Sequence, residues 1–120
     1  MAEELDVEIV EAKLLSNAEA WKLLKKAIDK VMEREGSIPM LLSKTLDYLS
    51  KFSKIDPESA SALREILEKY DLKQETIVMI MNICPKTIDE LRTLLELEEQ
   101  VIETETAQEI IESIKPYCKE

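Results

Sequence analysis

Gly36 is the only glycine in this chain of 120 residues, and only four prolines accompany it. Hairpins and left-handed turns draw on glycine, and a sandwich or barrel needs a turn residue about every 8–12 positions. So few breakers exclude those folds and leave helices joined by short connections. Hydrophobic residues at 45% and charged residues at 35% fit that reading, because apolar stripes alternate with charged faces. Aromatic residues are few, so the core must be built mainly from Leu, Ile, Val, Ala and Met.

The same scarcities exclude chemistry. With no histidine there is no His-based zinc site, no Ser-His-Asp or Cys-His constellation and no imidazole acid or base. One glycine rules out the dinucleotide fingerprint and the P-loop. Cys84 and Cys118 lie too far apart for a C-x-x-C pair, and Cys84 reads as core packing. There is no apolar run near ~18 residues and no signal-peptide pattern. The expectation is a cytoplasmic, reduced chain that does not cross a membrane and uses no metal or cofactor. The pairs Glu98/Glu99 and Glu103/Glu105 fall in an acidic segment that reads as solvated connector rather than as a catalytic carboxylate pair.

The net charge of −10 is unevenly spread. Residues 1–12 carry five acids and no base, 13–54 carry nine bases against five acids, and 56–114 carry five bases against fifteen acids. Such polarity steers docking on partners, while the net acidity argues against solitary nucleic-acid binding.

Asp6, Val7, Glu8 and Ile9 alternate with period two and include β-branched residues, yet no second convincing strand follows. A lone strand leaves its backbone groups unpaired, so this stretch is either a charged arm or a strand completing a sheet on another chain. Ser16 and Glu19 form an S-x-x-E capping box opening a first helix to about Arg34, with Trp21, Leu24, Ile28 and Val31 on one face and Gly36 as its stop. A second helix is predicted over about 39–53 with Leu42, Leu46 (or Thr45), Leu49 and Phe52 inward. A third, behind Asp56-Pro57, spans about 57–69 with Ala60, Leu63, Ile66 and Leu67 inward. Residues 74–83 are apolar nearly all round and predict a buried helix stopped by Pro85. Thr87 and Glu90 open a fifth helix with Leu91, Leu94 and Leu95, and Thr106 and Glu109 are expected to cap a last one ending at Pro116.

Lys22, Lys26 and Lys30 stand at i, i+4 and i+8 on the first helix, with Lys25 beside them. They read first as an ordinary solvent face, and otherwise as an electrostatic contact with RNA or with an acidic partner, auxiliary if the ligand is nucleic acid. No aromatic residues interleave with them as in single-strand stacking platforms. Trp21 fits core packing or an interface anchor equally well.

The stretch Leu42-Ser-Lys-Thr-Leu-Asp-Tyr-Leu-Ser-Lys-Phe52 continues through Ser53-Lys-Ile-Asp-Pro-Glu58 to Leu63-Arg-Glu-Ile-Leu67. With Asn82-Ile-Cys-Pro-Lys-Thr-Ile-Asp-Glu-Leu-Arg92, it resembles the F-type small subunits of archaeal DNA-directed RNA polymerase, the counterpart of the fourth-largest subunit of eukaryotic RNA polymerase II. The resemblance spans about residues 40–95, and the remainder agrees in layout.

It implies a mainly α fold: an N-terminal strand or arm followed by a five- to six-helix HRDC-like domain. Residues 1–15 would pair with a partner, 16–36 would form a partner-facing helix, and 37–120 the HRDC-like domain. It also implies a non-catalytic subunit that heterodimerises with the E-type subunit of RNA polymerase to form the polymerase stalk. Such a subunit supports transcription initiation and meets nascent RNA mainly through that partner. Val7, Ile9, Trp21, Leu24 and Ile28 would then face the E-type subunit, and Lys22, Lys26 and Lys30 would give the auxiliary RNA contact. The alternative is an independent helical nucleic-acid-binding module. An acidic adaptor unrelated to transcription has no feature in its favour.

Overall fold

Ser16 opens the first helix as its sequence predicts. In the computed structural model, which describes residues 14–119, the Ser16 hydroxyl accepts from the Glu19 backbone N–H at 3.3 Å. The Ser16 N–H in turn donates to Glu19 Oε1 at 2.9 Å, completing the capping box. Helix α1 then runs Asn17–Glu35 and stops at Gly36, whose φ of 76° is the left-handed cap that glycine adopts without a Cβ clash. The alternating stretch with Val7 and Ile9 lies outside the described residues.

Five further helices follow: α2 (Met40–Phe52), α3 (Ala60–Glu68), α4 (Gln74–Ile83), α5 (Ile88–Leu94) and α6 (Thr104–Ile114), with short 3₁₀ turns at 57–59, 95–97 and 115–117. The mainly α expectation holds. Among the described residues the only β pairing is an isolated antiparallel bridge between Ile55 and Cys118.

The core lies among α3, α4, α5 and α6. Leu63 and Leu67 from α3, Ile77, Ile80 and Met81 from α4, Leu91 from α5, and Ala107, Ile110 and Ile114 from α6 are all essentially inaccessible to solvent. Each large side chain among them adds roughly 1.5–3 kcal/mol of burial free energy. From α1 only Ala18 joins this cluster, and α2 contributes nothing to it. Helix α2 packs against α1 instead, and Ile28, though buried, stands outside the main core.

Three expectations are corrected. Phe52 does not point inward; it is exposed, and no residue of α2 is fully buried. Helix α6 starts at Thr104, so Thr106 lies inside it rather than at its cap. Arg92 of α5 explains the earlier start, because it donates to the Ile102 carbonyl at 3.0 Å and to the Thr104 hydroxyl at 2.9 Å, holding the incoming chain. Finally, Cys84 and Cys118 are joined as a disulfide. This overturns the reduced-chain expectation. Their pairing is set by tertiary placement, since Cys84 caps α4 with a φ of 53° while Cys118 bridges to Ile55.

Candidate partner-binding surface

Helix α2 carries two apolar stripes. Leu42, Leu46 and Leu49, spaced by four and three, are half-buried on a helix whose neighbour is α1. Leu41, Tyr48 and Phe52, spaced by seven and four, are 73%, 57% and 54% exposed. Met40 at the start of α2 and Leu23 and Met32 on α1 are exposed as well. The Tyr48 and Phe52 rings lie with centroids 4.6 Å apart at an interplanar angle of 37°, forming a small aromatic ledge on the solvent side. An amphipathic helix on a finished surface would show charge there, so the α1–α2 hairpin presents a second face that the other described residues do not cover.

The base of the hairpin is anchored by polar contacts. The Asn17 N–H donates to Asn82 Oδ1 at 2.7 Å, tying the start of α1 to α4, and Asn17 Nδ2 reaches the Phe52 carbonyl at 3.4 Å. Arg64, buried on α3, donates to Glu19 Oε2 at 2.6 Å, to Gln74 Oε1 at 2.7 Å and to the Leu14 carbonyl at 2.8 Å. Burial pushes the Glu19 carboxyl up, but hydrogen bonds from Arg64 and Ser16 and the Arg64 charge outweigh it and hold the group below its ordinary value. The same hydrogen bond to Glu19 leads in raising Arg64 above its usual value.

The residues singled out by sequence distribute as follows. Val7 and Ile9 lie outside the described residues. Ile28 is buried, and Trp21 and Leu24 are half-buried, with Trp21 lining a hollow of about 190 Å³ beside Ser50, Asp56 and Pro57. Lys22 pairs with Glu58 at 3.4 Å and Lys25 with Asp29 at 3.1 Å. Lys26 and Lys30 are exposed and make no ion pair among the described residues. The stripe Leu41, Tyr48 and Phe52 was within reach of sequence reasoning, because its spacing is helical. It was masked by the parallel stripe one residue on. Among the described residues no group of three or more His, Cys, Asp or Glu is placed to hold a metal ion, and no helix is long and apolar enough to cross a membrane.

The motifs that resemble an RNA polymerase subunit thus run from the exposed hairpin into the packed core, and family comparison covers both. The model of the RNA polymerase Rpb4 family matches residues 14–118. The chain belongs to the Rpb4 family of RNA polymerase subunits. Among its Rpb4-family relatives, the DNA-directed RNA polymerase subunit Rpo4 of Sulfolobus acidocaldarius is 35% identical over 100 residues, covering 82% of this chain and 87% of that protein. The Rpo4 subunit of Saccharolobus solfataricus is 34% identical over 114 residues, covering 94% and 96%. The DNA-directed RNA polymerase II subunit 4 of Arabidopsis thaliana is 27% identical over 88 residues, covering 69% and 64%. For an Rpb4-family chain, the α2 stripe of Leu41, Tyr48 and Phe52, exposed among the described residues, is the feature that most calls for a partner.

Proposed function

We propose that this chain is a non-catalytic subunit of DNA-directed RNA polymerase that heterodimerises with the polymerase's E-type subunit to form the stalk. In that position it supports transcription initiation and contact with nascent RNA, acts in the cytoplasm, and leaves nucleotidyl transfer to other subunits. The observation that carries this reading is the second apolar stripe of α2, Leu41, Tyr48 and Phe52, exposed on a chain whose family consists of polymerase subunits. Aromatic residues such as Tyr48 and Phe52 are enriched at interface cores, and tyrosine is among the residues on which interfaces concentrate their energy. The acidic N-terminal residues, with Val7 and Ile9, would extend the same interface by strand addition. A cytoplasmic setting makes Cys84–Cys118 an intracellular disulfide, a pattern found in hyperthermophile proteins.

Affinity capture of the tagged chain from native extract tests the reading, with the E-type subunit and the large polymerase subunits expected in the eluate. Recovery without them overturns it. Leu41→Asp combined with Phe52→Asp is expected to cut capture of the E-type subunit at least tenfold, equivalent to about 1.4 kcal/mol or more, with helix content unchanged by circular dichroism. Undiminished capture would move the interface off this face. Val7→Asp with Ile9→Asp tests the strand separately.

A further inference from the structure

The ends of α2, α4 and α6 meet at one edge of the molecule. The Ile55–Cys118 bridge, the Lys119 N–H donating to the Lys54 carbonyl at 2.7 Å, and the Cys84–Cys118 disulfide draw three distant segments together there. Each segment brings lysines. Lys86, Lys115 and Lys119 line a hollow of about 180 Å³ against the disulfide. Lys51, Lys54, Lys86 and Lys119 line an adjoining one of about 350 Å³. All five are exposed, none makes an ion pair among the described residues, and no acidic side chain lines either hollow. Asp56 and Glu58 border only the separate hollow beside Trp21, which Lys119 also reaches, and Glu58 is already paired with Lys22.

Five like charges held together in a chain of net charge −10 need a reason. Helix dipoles supply part of one, because the C-terminal end of a helix favours cations. Each end is equivalent to about −0.5 charge, so three ends offset about 1.5 of five positive charges. The remainder faces solvent. The cations are all lysine, whereas the arginines Arg64 and Arg92 are engaged internally. Lysine binds phosphate as a point charge, while planar carboxylate recognition favours the arginine fork. The two hollows adjoin at Cys84, Lys86 and Lys119, with Ile83 and Pro85 among their apolar walls, and a ligand must enter both to meet all five lysines. A flexible single strand does this, and a duplex with a persistence length of about 150 bp does not.

We propose that the lysine cluster around the Cys84–Cys118 disulfide, rather than the Lys22, Lys26 and Lys30 stripe, is this protein's own binding surface for the phosphodiester backbone of single-stranded RNA. The inference rests on the proposed polymerase role only in choosing RNA as the polyanion. It needs no contact with the E-type subunit. Without aromatic side chains in either hollow, binding is electrostatic and indifferent to sequence.

The test is fluorescence anisotropy of the full chain with a labelled oligouridylate of about 15 nucleotides, titrated across salt. With about three phosphates neutralised, log affinity should fall against log salt with a slope of about −2. Lys86→Glu with Lys119→Glu should weaken binding at least tenfold at about 50 mM salt and flatten the slope by about 1.4. Lys26→Glu with Lys30→Glu makes the same change in net charge and should stay within about twofold. If the reversal variant does not fold, Lys86→Gln with Lys119→Gln should still flatten the slope by the same amount. No RNA binding by the unaltered chain at low salt overturns the proposal, as does equal weakening by the α1 variant. Equal affinity for duplex DNA, or displacement of RNA by polyglutamate at matched charge, also overturns it. Capture of the E-type subunit is read on the α2 variants, so either reading can fail without the other.

Discussion

Arg64 Nε donates to Glu19 Oε2 at 2.6 Å across the junction of α3 and α1, with the two side chains only 5% and 14% exposed. Glu19 simultaneously closes the capping box with Ser16. One carboxylate therefore starts the first helix and docks it on the core.

This pair makes stability depend on acidity. The folded-state pKa of Glu19 is depressed below its ordinary value of 4.5, so the stabilisation is complete above that value and is lost as pH falls through the lower folded pKa. Denaturant midpoints should fall as pH drops below about 4.5, and the Glu19→Gln variant should show a shallower fall over that range. Parallel profiles for the two proteins would deny Glu19 this role. Arg64→Ala, which takes the charged partner from a half-buried carboxylate, should cost about 1.5–3 kcal/mol at neutral pH.

Helix α4 is capped from a distance. Its N-cap residue Lys73 offers no side-chain bond, yet Glu98 Oε2 accepts from the Lys73 N–H at 2.9 Å and from the buried Thr76 hydroxyl at 2.6 Å. Glu98→Ala leaves that hydroxyl without its partner and should cost about 1–3 kcal/mol, with faster amide exchange in the first turn of α4. Glu98→Gln retains an acceptor and should recover much of the loss. Equal stabilities for all three proteins would count against the cap.

The disulfide spans a sequence separation of 34 residues. Chain entropy alone gives a crosslink over that span about 3–4 kcal/mol of stabilisation. Cys118→Ser, or mild reduction of the unaltered protein, should lower the denaturant midpoint accordingly while most helical signal persists in water. A midpoint insensitive to reductant would reject the contribution.

Gly36 adopts a φ of 76°, and a Cβ built there meets nothing within 4 Å. Gly36→Ala should therefore cost only the left-handed backbone penalty, about 1–2 kcal/mol, and Gly36→Asn less. A loss well beyond that range would mean that α1 and α2 need glycine for a packing reason.

Local signals in the sequence carried most of the fold. Ser16 with Glu19, Gly36, Asp56 with Pro57, Thr87 and Pro85 each mark a helix end through chemistry confined to a few residues. The misreadings arose where the deciding partner is remote. Thr106 with Glu109 has the form of a capping box, yet Arg92 sets the start of α6 three residues earlier, with Glu103 at the cap position. Periodicity placed Phe52 in the core, but α2 bears two apolar stripes and only packing decides which one is covered. Nothing beside Arg64 in the sequence marks it as buried; its burial follows from Glu19, 45 positions away. The lysines at 51, 54, 86, 115 and 119 form no motif in sequence. Three helix ends and a disulfide assemble them.

Cys84 and Cys118 also close α5, α6 and the connector between them into a covalent ring. Val101, 90% exposed, is an apolar residue of that connector and an accessible point for a protease. A cut there would open the backbone without releasing a fragment, because the two pieces would still be one molecule through sulfur. The chain's integrity at this edge is thus independent of its peptide continuity, and only a reductant would make the break visible on a gel.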